Sequence, residues 1–86
     1  MTEEQLQKAW QALFDGQYHL AKQLVYQIEQ DNYSTLNLKA YIALEEKDFA
    51  LARQFLKDYY AQAVSEKNLE EQHIGLHQLA MVEREE

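Results

Sequence analysis

Apolar residues return every three or four positions through most of this chain, the spacing of one face of an α-helix. Leu6, Ala9, Trp10 and Leu13 make the first such stripe. Thr2 ahead of it, with Gln5 three places on, reads as an N-cap and capping box. Asp15-Gly16 is a turn signal, the glycine being free to take the left-handed conformation that ends helices. A second helix is predicted from about Tyr18, with Leu20, Ala21, Leu24, Val25 and Ile28 on its buried side. Asp31-Asn32-Tyr33-Ser34 is expected to connect it to a third helix near 35–46, whose apolar positions are Leu36, Ala40, Tyr41 and Leu44. Lys47-Asp48 makes the next turn, and Asp48 caps a helix from Phe49 to about Ser65 bearing Leu51, Ala52, Phe55, Leu56 and Tyr59. Asn68, with Glu71 three residues on, signals a fifth helix running to about Arg84.

The pattern repeats. Sliding the chain by 31 places lays residues 8–28 over 39–59, and seven of the 21 pairs are identical: Lys8/Lys39, Ala9/Ala40, Ala12/Ala43, Leu13/Leu44, Leu20/Leu51, Ala21/Ala52 and Gln23/Gln54. Average residue usage gives about one or two. Further pairs keep their chemistry, among them Trp10/Tyr41, Asp15/Glu46, Lys22/Arg53 and Leu24/Phe55. The expected fold is therefore all-α, a single domain of tandem antiparallel helix hairpins with about five helices. Unit 1 spans about 3–31 and unit 2 about 34–65, and a closing helix covers about 68–84. Terminal helices of such arrays depart from the repeat because they close off the core.

The turn Asp15-Gly16-Gln17-Tyr18-His19-Leu20-Ala21, its echo Lys47-Asp48-Phe49-Ala50-Leu51-Ala52, and the small residues Ala9 and Ala40 resemble tetratricopeptide repeats. The departures are a period of 31 against about 34, the absence of the proline that often ends a unit, and only two units. The resemblance implies a concave groove, formed by the first helices, that binds a peptide or a protein. Carried over by position, Leu6, Trp10, Asn37, Tyr41 and Gln72 line it. Members that capture a peptide carboxylate use Lys, Asn and Arg there, and only Asn37 fits that set. Trp10 and Tyr41 have two readings, an exposed binding hot spot or packing between helices as core.

Composition narrows the function classes. Proline is absent and there are only two glycines, so little interrupts a helix. Fifteen acidic residues against eight basic ones give a formal charge of −7. Without clustered Lys or Arg, neither nucleic acid nor an anionic membrane is an expected partner. Cysteine is absent, which excludes disulfides and thiolate metal sites. MTEEQLQKAW has neither the basic region nor the apolar run of a signal peptide, so a cytoplasmic protein is expected. Ser34 and Ser65 lack a glycine elbow, and no phosphate-cradling glycine loop occurs, so no catalytic residue and no cofactor is assigned. Glu70, His73 and His77 share one helix face at a spacing zinc sites use, but His73-Ile74-Gly75-Leu76-His77 lacks the glutamate of the metalloprotease motif. No metal residue is assigned, and a metal-binding helical domain stands third among the readings. The first is an adaptor or small chaperone-like module that holds a peptide or helix. The second is an obligate homodimer in which the aromatics and Tyr59/Tyr60 cover one another.

Overall fold

Five helices carry the chain: α1 (Thr2–Phe14), α2 (Tyr18–Tyr26), α3 (Tyr33–Glu45), α4 (Phe49–Ser65) and α5 (Leu69–Glu85), with no strand among the described residues. The computed structural model describes residues 2–28 and 31–86, Thr2 by its backbone alone. The side chain of the expected Thr2 cap, and Glu29 and Gln30 near the end of the predicted unit 1, lie outside the described residues. α3 starts 31 residues after α1, and α4 starts 31 residues after α2. No described helix is long and apolar enough to cross a membrane.

One turn geometry is used three times. The amide of Gln17 donates to the Ala12 carbonyl at 2.8 Å and that of Gly16 to Leu13 at 3.1 Å. Asp48 and Lys47 bond in the same way to Ala43 and Leu44, and Asn68 and Lys67 to Ala63 and Val64. This paired closure requires a left-handed residue just past the helix. Gly16 takes it at φ 79°, but Lys47 and Lys67 take it at φ 62° and 56° against the steric preference of a side-chain-bearing residue. The following residue is at once the N-cap of the next helix, which keeps each connection to three residues. Asp48 and Asn68 accept from the amides of Leu51 and Glu71, whereas Gln17 makes no side-chain cap.

α1 packs on α2, α3 on α4 and α4 on α5, while α3 also touches α1 and α2. Alanines mark the closest approaches: Ala9, Ala12, Ala21, Ala40, Ala43, Ala52 and Ala63 are all buried, and a methyl group lets helix axes draw together. α5 comes closer still through Gly75, where an added Cβ would stand 3.3 Å from the Tyr59 ring and 3.5 Å from Tyr60 Cβ. Two apolar clusters result. Val25, Ile28, Leu38 and Ile42 belong to one and Ala43, Ala52, Leu56 and Val82 to the other. Each fully buried Val or Leu contributes about 1.5–3 kcal/mol. The whole is a slab of 31 × 30 × 17 Å, about two helices thick.

Three expectations change. α3 begins at Tyr33, inside the expected connection, because Asn32 caps it: the Asn32 side chain accepts from the Thr35 amide at 2.9 Å, and Thr35 Oγ1 accepts from the Asn32 amide at 2.7 Å. α3 is also buried nearly all round, Leu38 and Ile42 as well as Leu36 and Ala40, because it feeds both clusters. Leu20, expected on the buried side of α2, is 42% exposed, since no described element packs over that flank.

Candidate partner-binding face

α1, α3 and α5 share a face whose centre is aromatic. Helical spacing places Trp10 and Phe14 one turn apart on α1, and Ser34, Asn37 and Tyr41 along one stripe of α3. The Trp10 and Phe14 rings stack with centroids 5.9 Å apart, and Tyr41 meets Trp10 edge-on, also at 5.9 Å. The Trp10 indole N–H donates to Ser34 Oγ at 2.9 Å. Gln78 of α5 donates from Nε2 to the Tyr41 hydroxyl at 3.2 Å. Trp10 and Tyr41 are thus half-buried, each with one edge anchored and one left to solvent. Phe14 is 76% exposed.

The five residues expected to line a groove divide. Trp10 and Tyr41 are brought into contact, and Asn37 lies half-buried between Ser34 and Tyr41. Leu6 sits one turn before Trp10, packed against the first cluster and edging a cleft of about 330 Å³ with Glu3, Ile28, Asn32 and Thr35. Gln72 stands apart: its Nε2 donates at 3.4 Å to the Ala63 carbonyl near the end of α4. Gln78 holds the place beside Tyr41 instead, because α5 lies about one and a half turns out of the register assumed by position. Phe14 was missed, although its i, i+4 spacing from Trp10 marks it.

Below Tyr41 the face continues into an open hollow of about 220 Å³ with Leu44, Met81, Glu45, Glu85 and Lys47 on its walls. It holds a side chain rather than a whole small molecule, for which sites of about 300–1,000 Å³ are usual. Its two carboxylates, with Glu3 at the other end, make the ends of the face predominantly acidic.

Elsewhere, Glu70, His73 and His77 are exposed on α5, and no three potential metal ligands converge among the described residues. Tyr59 is buried and Tyr60 half-buried. The Tyr59 hydroxyl donates to Glu71. Burial first, then that bond, push its pKa up. Tyr33 donates to Glu66 at 2.5 Å, and this hydrogen bond is the main reason its pKa is pushed up to about 12. These phenol–carboxylate pairs tie α3 and α4 to the two ends of the last turn and form no cleft with the aromatic face.

Comparison of the chain with protein-family models, with curated proteins and with solved structures returns no match. Geometry and chemistry therefore carry the functional reading.

Proposed function

We propose that this chain is a tetratricopeptide-like interaction module that binds an amphipathic helix or extended apolar peptide across α1, α3 and α5. The observation that supports it is the row Phe14–Trp10–Tyr41, in which two rings are held edge-anchored and the third stands 76% exposed beside them. A rigid aromatic on a folded surface gives large contact area at small entropic cost. The flanking Glu3, Glu45 and Glu85 favour a partner with basic residues on either side of its apolar stripe. The role is one of holding, with no bond made or broken.

Trp10 is the single tryptophan, so its fluorescence reads this face directly. Titration with a synthetic helix bearing a Leu/Phe stripe and terminal lysines is expected to shift that emission saturably. A version with terminal glutamates is expected to bind at least tenfold more weakly. No response to any apolar helix, with the chain folded, would refute the reading.

A further inference from the structure

The two hairpins are alike in sequence but not in what covers them. In the second hairpin, α2 packs along the outer side of α3 and reaches α4 through Tyr26. Tyr26 packs edge-on against Phe55 with centroids 6.4 Å apart. Lys39 lies 5.0 Å over the Tyr26 ring and bonds to Asp31 at 2.7 Å. Glu46 takes the Lys22 ammonium at 3.2 Å. α2 thus brings a base to a carboxylate, and the link that follows it brings an acid to a lysine.

Stepping back 31 residues turns Lys39, Ala43 and Glu46 into Lys8, Ala12 and Asp15, and Leu51 and Phe55 into Leu20 and Leu24. Those five residues, with Gln11, line an open cleft of about 350 Å³ on the outer side of α1 and α2. It is the same seat without its helix. Leu20 is left 42% exposed in it, and among the described residues the Asp15 carboxylate accepts only from Gln11, four residues before it, at 3.1 Å. At 100° per residue the seat lies about 130° round α1 from Trp10 and Phe14, so it is separate from the aromatic face and owes nothing to the proposal above.

We infer that a second copy of this chain occupies this seat, α1 against α1 and antiparallel about a two-fold axis at Gln11 and Ala12. The occupant must offer an acid to Lys8 and a base to Asp15. The seat itself carries both, about 10 Å apart along the line of α1, so rotation about a two-fold sets Lys8 against Asp15 of its copy twice. Where the second hairpin has buried Ile42, the axis position here is Gln11, whose amide both donates and accepts and so pairs with itself. Ala12 lets the two axes approach, and Leu20 and Leu24 are covered from both sides. Such an interface is isologous and closes at two copies.

The test is the solution mass by light scattering across a micromolar-to-millimolar series, with circular dichroism to confirm folding. The expected mass rises from one copy to two and stops. Lys8→Glu and Asp15→Lys each set like charges opposite one another twice and are expected to weaken association at least tenfold. The double variant, or an equimolar mixture of the two single variants, restores opposite charges at both contacts and is expected to return it to within a few-fold of the native chain. A monomer at every concentration, a dimer indifferent to the single changes, or growth beyond two copies would each overturn the inference.

Discussion

Trp10 and Ser34, 24 residues apart, are joined by a hydrogen bond of 2.9 Å from the indole N–H to the serine hydroxyl. That bond fixes the ring at the junction of α1 and α3 and leaves its other edge beside Phe14. Ser34→Ala deprives a half-buried donor of its partner and is expected to cost about 1 kcal/mol. Chemical denaturation followed by Trp10 emission checks this. An unchanged midpoint would mean that the ring is held by packing alone.

The Lys39–Asp31 pair is unequal, with side-chain exposures of 10% and 44%. Removing the exposed partner strands a buried ammonium, whereas removing the ammonium leaves a carboxylate that water solvates. Asp31→Asn is therefore expected to cost about 1–3 kcal/mol and Lys39→Met less than that. Thermal unfolding of the two variants decides it, and the reverse order would contradict the assignment.

Much of this was legible in the sequence. Asp48 and Asn68 cap as their residue type predicts, and the identities at a 31-residue offset anticipate the matching helix starts. What escaped depends on contacts between distant segments. The burial of Lys39 needs Asp31 and Tyr26 beside it, and the exposure of Leu20 follows from an uncovered flank that periodicity does not reveal. Gln72 was placed by assuming that α5 keeps the register of the first helices, but Gly75 seats it against Tyr59 and Tyr60 instead. The fifth helix, expected to run to about Arg84, ends at Glu85, and Arg53 bonds Glu86 just past it at 2.7 Å.

Backbone chemistry at the turns gives a paired expectation. Lys47→Gly relieves a left-handed side chain, and Gln17→Asn supplies the cap that α2 lacks. Each is expected to raise stability by about 0.5–1 kcal/mol. Gly75→Val, in contrast, forces a branched side chain against the Tyr59 ring and is expected to cost about 1–3 kcal/mol. Melting temperatures of the three variants should fall on opposite sides of the native value, and a stabilised Gly75→Val would contradict the close approach of α4 and α5.

Alkaline pH acts on Tyr33 and Tyr59. The Tyr33 phenol is held neutral up to about 12 in the fold, against about 10 for a free tyrosine. A group whose folded pKa is raised contributes stability that is whole below its unfolded value and disappears as the pH climbs to the folded one. Stability should therefore fall between pH about 10 and 12, and Tyr33→Phe should make that fall shallower. Circular dichroism against pH for both chains measures it, and equal slopes would show that the Glu66 bond does not form.

If the aromatic face of α1, α3 and α5 docks an apolar helix, Phe14 is the place to break it, because its ring stands exposed there while Trp10 and Tyr41 are half-buried. Phe14→Ala and Leu76→Ala remove two exposed apolar side chains, 76% and 52% accessible, from α1 and from the far side of α5. Both are expected to change stability by less than about 1 kcal/mol. Binding of the basic-ended apolar helix, read from Trp10 emission, should weaken at least tenfold in Phe14→Ala and stay at the native level in Leu76→Ala. Equal weakening in both, or none in Phe14→Ala, would mean that the helix does not dock on the aromatic face.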